Sequence, residues 1–235
     1  MIWRLLLAHV MTDFVMQTKK SVENKVKLST NLLHGFILLI VSSVIFIDIL
    51  DFRILLMLVF ISVLHSAIDY LKARFSLISH SKRDWLIFAG DQILHVLTII
   101  VAILFFYPSY GYTLFQETIL LTGQAEWFKI AFFFILITAG GSYFTASVCK
   151  RFTSKLDQGY SLENAGQYIG VLERIVIAAS ILIGRYELIG FLIAAKSIIR
   201  HNTDRDRAFT EYFLIGTLTS FLWAAVFTYL FILFS

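Results

Sequence analysis

The sequence predicts an all-α fold: a polytopic integral membrane protein with about eight transmembrane helices in two bundles. Three observations carry that expectation. Hydrophobic residues make up 58% of the chain against 15% charged, too much apolar surface for a soluble core to hide at this length. A single proline, Pro108, interrupts 235 residues. Apolar stretches of membrane-spanning length recur between short polar segments rich in Lys and Arg.

Taken in order, the expected spans cover about 2–17, 30–50, 54–73 and 85–107, then about 127–149, 164–184, 186–199 and 209–234. The first and seventh are short. The first lacks the basic leader and small-residue cleavage site of a signal peptide and is expected to be retained. A weakly hydrophobic connection over 108–126, opening at Pro108, separates a four-helix bundle (1–107) from a C-terminal bundle (127–235). Trp3, Trp85 and Trp127 fall near span ends and read as interfacial anchors. Gly166 with Gly170, the Ala139–Ser142 run, Gly190 with Ala194, and Gly216 read as close helix-packing positions.

Basic residues set the expected orientation. Lys19, Lys20, Lys25, Lys27, Lys72, Arg74, Lys82, Arg83, Lys150, Arg151, Lys155, Arg200, Arg205 and Arg207 all fall on one side of this arrangement. The positive-inside rule makes that side cytoplasmic and puts both termini outside an inner (cytoplasmic) membrane. These loops also account for the net charge of +4, so no nucleic-acid partner is called for; anionic membrane lipid is the expected partner of such a surface. The lone Cys149 excludes an intrachain disulfide and a cysteine-based metal cluster.

Inside the first four spans lie His9, Asp13, His34, His65, Asp69, Asp91 and His95. Ionisable groups at membrane depth are expensive and mark functional sites by default. Their order is informative: His9/Asp13 and His65/Asp69 read His then Asp at i, i+4, while Asp91/His95 reads Asp then His. Four residues are about one turn, roughly 6 Å along a helix. In antiparallel neighbours the reversal brings every histidine to one depth and every aspartate one turn nearer the cytoplasmic surface, with His34 joining the histidine layer.

Imidazole and carboxylate on neighbouring helices are ligands for zinc and other divalent first-row ions. His9, His34, His65, His95, Asp13, Asp69 and Asp91 are therefore candidate metal ligands, with zinc the expected ion. Seven donors exceed what one tetrahedral ion needs, so the aspartates also stand as candidates to bridge two ions, to orient a ligating histidine or to act as general base. The plain alternative for any single pair is a hydrogen bond that pins the bundle. Haem is a poor match because an aspartate lies one turn from each paired histidine. Gln17 and Asn31 point the same way and are candidate substrate-binding residues, and Lys72 reads as an interfacial, snorkelling lysine.

In the C-terminal half, Glu173, Arg174 and Glu211 are expected in structural ion pairs, such as Glu173 with Lys196 or Arg174 with Glu211. Lys196 and Arg200, one turn apart beside Ser197, are the alternative: a cationic site for a phosphorylated or lipid head group. His80 and His201 sit among loop cations and stay outside the site. No P-loop, GxSxG, HExxH or dinucleotide fingerprint occurs.

The segments AHVMTDFVMQ, LLHG, LHSAIDYLK and DQILH, in that order over roughly residues 1–105, resemble a bacterial inner-membrane family of unknown function, DUF3307-like. Downstream, IGVLERI, AAKSIIR and EYFLIGTLTS resemble an extension of longer members. The H-x-x-x-D pairs are more loosely similar to membrane-bound metal-dependent hydrolases. The first resemblance implies no activity, and the second implies only the metal.

The function expected from these residues is a metal-dependent integral membrane hydrolase acting on a lipid-like or phosphorylated substrate at the cytoplasmic leaflet. The ion would activate water, and an aspartate (Asp13, Asp69 or Asp91) off the ion would serve as base. A metal-ion or proton transporter is the rival reading, and a non-catalytic assembly or regulatory protein with a structural polar core is a third. The outer halves of the first four spans, such as Val44–Ile47 and Val101–Phe105, are largely apolar and tilt the choice away from a through-path.

Overall fold

The computed structural model describes residues 1–18, 26–78, 84–109, 124–155, 165–201 and 207–235. Among these residues the chain is helical throughout, with no strand. Its helices are α1 (Ile2–Val10), α2 (Leu28–Ile45), α3 (Phe52–Ile78), α4 (Asp84–Phe106), α5 (Gln124–Ile135), α6 (Gly141–Cys149), α7 (Ala165–Leu182), α8 (Glu187–His201) and α9 (Arg207–Leu233). A π-helical turn, Met11–Val15, extends α1, and a second, Leu136–Gly140, joins α5 to α6.

Six candidate membrane spans occur among the described residues: Leu28–Ile45, Phe52–Phe75, Asp84–Phe106, Glu126–Phe152, Ala165–Leu182 and Thr210–Leu233. They fit a multi-pass membrane protein. The two remaining expected spans are shorter than a bilayer-crossing helix of about 20 residues: α1 has 9 residues before its π turn, and α8 has 15. Most of the expected 108–126 connection, residues 110–123, lies outside the described residues, as do Lys19, Lys20, Lys25, His80, Lys82, Arg83 and Arg205 of the basic loops.

The chain divides into two compact units. The first comprises Met1–Lys82, Leu86–Ile135 and Ser235; the second comprises Arg83–Trp85 and Leu136–Phe234. The division falls at the second π turn rather than in the 108–126 connection.

In the first unit, α1 is buried along almost its whole length, from Trp3 through Val10. Trp3 packs on Phe132 and Phe133 of α5, with ring centroids 5.7 Å away in each case. Arg4 closes the end of this bundle. Its guanidinium donates to the Ile45 carbonyl at 2.9 Å and to both carboxylate oxygens of Asp48, and it lies 4.5 Å from the Phe128 ring centroid. The next helix is started by Asp51, whose Oδ1 accepts from the Ile54 amide at 2.6 Å, as an N-cap does. α2 and α3 meet closely because position 35 is glycine: a Cβ there would collide with Ser66 Oγ and come within 2.9 Å of the Ser62 carbonyl oxygen.

The Arg4 contact holds the Asp48 carboxyl below the ordinary carboxylate range. A lowered folded-state pKa means the stabilisation is complete above that range and disappears as pH falls through the lowered value. Protection factors of the 46–50 amides, measured against the intrinsic exchange rate at each pH, are expected to be larger at pH 7 than at pH 3, and Arg4→Gln is expected to remove that difference. Equal protection factors at both pH values would overturn this role for the Arg4–Asp48 pair.

In the second unit, Ile137, Ile177, Ile181, Ile189 and Ala224 form the apolar core. α7 ends where Gly184 takes φ +68, with the Arg185 amide returning to the Ser180 carbonyl at 2.8 Å. Glycine is needed there because the left-handed conformation costs other residues energy. The π turn has a clear role. Its wider register releases carbonyls from the helix, and two are taken by other helices: Trp223 Nε1 donates to Leu136 O at 2.9 Å, and Arg174 Nη2 donates to Thr138 O at 2.8 Å.

Arg174, 2% exposed, also donates to Ser220 Oγ at 2.9 Å and to Ser142 Oγ. Gly141 and Gly170 leave it room. Arg174→Ala removes these bonds, with the Ser142 hydroxyl still donating to the Thr138 carbonyl at 3.1 Å, and is expected to cost about 2 kcal/mol. Thermal melting in detergent measures it, and an unchanged midpoint would show the guanidinium to be dispensable.

Candidate metal centre

Four consecutive helices of the first unit each deliver acid or imidazole to one buried cluster. α1 and its π turn bring His9 and Asp13, α2 brings His34, α3 brings His65 and Asp69, and α4 brings Asp91 and His95. All seven are at most 5% exposed, and Asp69 is at 0%. The imidazoles form a contiguous layer, with ring centroids 5.0 Å apart for His9–His95, 5.1 Å for His34–His65, 4.0 Å for His65–His95 and 5.4 Å for His9–His65.

The tightest part is a triangle. His34 Nε2 lies 3.0 Å from Asp13 Oδ1, His65 Nε2 lies 3.2 Å from the same oxygen, and the two nitrogens are 3.1 Å apart. Asp69 Oδ2 stands 3.4 and 3.8 Å from those nitrogens. Donors at zinc bond length, set at the tetrahedral angle, lie about 3.3 Å from one another. Hydrogen bonding alone accounts for this poorly, since two neutral imidazoles sharing one carboxylate oxygen cannot both donate to it and bond each other.

The outer donors are oriented by partners of their own. His95 Nδ1 donates to the Asp91 carbonyl at 3.0 Å, leaving Nε2 as the lone-pair nitrogen, 4.0 Å from Asp69 Oδ1. His9 Nε2 meets Gln92 Oε1 at 3.2 Å, which leaves Nδ1 with its lone pair 3.9 Å from Asp13 Oδ2. The Gln92 amide nitrogen in turn donates to Asp91 Oδ2 at 3.3 Å and Asp13 Oδ2 at 3.4 Å. Fixing one ring nitrogen so that the other is free to ligate is how metal-binding histidines are held. His9 Nδ1, His95 Nε2 and Asp91 Oδ1 are buried with no hydrogen-bond partner among the described residues.

Three donor groups result: His9–Asp13–His65, His34–His65–Asp69 and Asp69–Asp91–His95. His65 belongs to two of them and Asp69 to two. The two oxygens of Asp69 face different groups, as a bridging carboxylate's do. Charge points the same way: three carboxylates face one cation, Lys72, whose Nζ is 2.5 Å from Asp91 Oδ2. A divalent cation would balance that excess of acidic side chains in low-dielectric surroundings.

Gln17 is half-buried just past the π turn. Asn31 is fully buried, and its carbonyl accepts from Ser66 Oγ at 3.2 Å. In the second unit Glu173 pairs with Lys196 at 2.8 Å, and Lys196 also lies 4.7 Å from the Phe213 ring centroid. Arg174 is held by hydroxyls and a carbonyl, as described above, while Glu211 is exposed near the start of α9. The Arg200 side chain lies outside the described residues. Lys72 and Gln92 have larger parts than sequence reasoning gave them. The available signal was spacing: Lys72 follows Asp69 by three residues and Gln92 precedes His95 by three, so each shares a helix face with a residue of the cluster.

No curated protein and no solved structure matches the chain. A family model does match, over residues 1–122. That half of the chain contains every residue of the cluster, and the chain belongs to the family described as Protein of unknown function (DUF3307).

Proposed function

We propose that this chain is a metal-dependent integral membrane hydrolase, acting on a lipid-like or phosphorylated substrate at the cytoplasmic leaflet. In this reading it spans an inner membrane eight times in two bundles, with α1 and α8 as the short spans. Both termini lie outside and the aspartate side of the cluster opens toward the cytoplasm. The observation that carries the reading is the donor spacing about His34, His65, Asp13 and Asp69, which suits zinc. His9 and His95 supply further nitrogen donors beside this set.

A divalent ion in such a site supplies Lewis acidity and a water acidified to near-neutral pKa. The protein's own part is to hold the donors rigid, to exclude bulk water and to place a base. Asp91 suits that last role best, since Oδ1 faces the cluster while Oδ2 is held by Lys72 and Gln92. Gln17 would meet substrate at the mouth.

Metal or proton transport is the rival. Against it stands the far side of the histidine layer, where the cluster ends on a void of about 10 Å³ walled largely by Leu5, Leu38, Leu58, Ile61 and Ile99. That is space for about one water, and the two hydroxyls in its wall, Ser42 and Thr98, donate to carbonyls of their own helices, at 2.6 Å to Leu38 and 2.9 Å to Leu94.

Elemental analysis of detergent-purified protein tests the proposal, followed by lipid-ester and phosphoester hydrolysis assays on wild type and Asp91→Asn. Stoichiometric zinc, iron or manganese and hydrolysis lost in the variant are expected. A folded protein that takes up no divalent ion after reconstitution would leave a structural polar core, and metal uptake into proteoliposomes would move the assignment to transport.

A further inference from the structure

Between α3 and α4 the first unit carries an open groove of about 440 Å³, within the size range of small-molecule sites, about 300–1,000 Å³. Its walls are apolar, with Leu71 and Phe75 from α3 and Leu86 and Leu94 from α4. Two features set it apart from ordinary lipid-facing surface. The Lys72–Asp91 pair lies in its lining, and its floor is lowered at Gly90, where a Cβ would meet nothing within 4 Å.

Lys72 is the informative residue. Its ammonium has three donors, and the bond to Asp91 Oδ2 is its one hydrogen bond among the described residues. The side chain is 28% exposed, while that of Asp91 is 2% exposed and turned inward. With one donor on Asp91, this partly exposed ammonium also lines the groove, and the oxyanions a membrane offers to a cation are those of its anionic lipids. Depth agrees with this. α3 has 27 residues, about 40 Å of helix against about 30 Å of hydrocarbon. Lys72 lies six residues before its last residue, about 9 Å from the end, near the boundary between head groups and acyl chains.

We infer that this groove binds an acyl-chain amphiphile with an anionic oxygen head group, entering sideways from the membrane. The head is held by Lys72 beside Asp91, and the chain lies along the apolar wall toward Leu94. The inference names the substrate class for the hydrolase proposed above and rests on that reading only for the fate of the bound lipid. Binding itself depends on the groove alone.

Native mass spectrometry of the full chain, with metal content measured on the same samples, tests it using oleoyl lysophosphatidate, oleate and uncharged monoolein. Gly90→Phe is the groove-filling variant, because the position opens onto free space and the donors stay in place. Wild type is expected to retain one lysophosphatidate per chain, Gly90→Phe at least tenfold less with metal content unchanged, and Lys72→Gln to lose the preference over monoolein. Retention of oleate as well would show that any oxyanion head suffices, whereas lysophosphatidate alone would mark a phosphate site. Equal retention by wild type and Gly90→Phe, or monoolein bound as well as the anions, overturns the inference. Lipid binding lost in Gly90→Phe from a protein that takes up no metal would keep the groove assignment and reject the enzyme.

Discussion

His65→Ala is expected to abolish stoichiometric metal binding, while His9→Ala is expected to keep at least one ion per chain. The asymmetry comes from sharing. His65 contributes to two of the three donor groups, and its Nε2 sits 3.1 Å from His34 Nε2 and 3.2 Å from Asp13 Oδ1. His9 contributes to one group, at the edge, with its lone-pair nitrogen 3.9 Å from Asp13. Removing His65 takes a donor from the compact triangle and a ring from the centre of the imidazole layer. Elemental analysis of both variants, with helicity checked by circular dichroism, reads the difference. Equal metal loss in the two would mean that the triangle is not the primary site.

The second large effect is expected from one methyl group. Gly35→Ala puts a Cβ against Ser66 Oγ and 2.9 Å from the Ser62 carbonyl oxygen. The serine hydroxyl can rotate away, but the carbonyl belongs to α3 backbone and cannot. The helices must part, at an expected cost of about 3 kcal/mol, the upper end of ordinary overpacking. Parting them also carries His34, the neighbouring residue, away from His65. Lower thermal stability in detergent and weaker metal retention are therefore expected together. Gly90→Ala, which meets open space, is the control and should lower neither. If Gly35→Ala melts as wild type does, the close approach of α2 and α3 is wrong.

Much of this site is legible in the sequence because a helix imposes a strict period on side chains. The reversed order of Asp91/His95 relative to the other two pairs holds depth information, and the four imidazoles do meet in one layer. The i, i+4 spacing in α3 and α4 survives as drawn. In α1 it survives too, with His9 Nδ1 3.9 Å from Asp13 Oδ2, but Asp13 sits in a π turn and its other oxygen, Oδ1, reaches across to His34 and His65. Nothing in MTDFV announces the extra residue in that turn, because π turns are stabilised by what neighbouring helices offer rather than by local propensity.

Arg174 is less legible for a related reason. Its expected partner was a carboxylate, whereas its bonds run to Ser142, Ser220 and the carbonyl that the second π turn releases. Backbone carbonyls carry no signature in the one-letter code. Lys72 escaped by class: a lysine near a helix end usually reaches for water, and only the three-dimensional position of Asp91 shows that this one does not.

The cluster's place in the chain has a consequence for biogenesis. Its donors come from α1, α2, α3 and α4 in strict succession, and the last, His95, is supplied by the fourth helix to be made. Asp13, His34, His65 and Asp69 are all synthesised before α4 begins. The inner triangle of Asp13, His34 and His65 takes nothing from α4. The arrival of α4 brings Lys72 its counter-ion, sets His9 against Gln92 and closes the cluster. Order of synthesis thus makes the fourth helix the lid on a chamber that the first three have built.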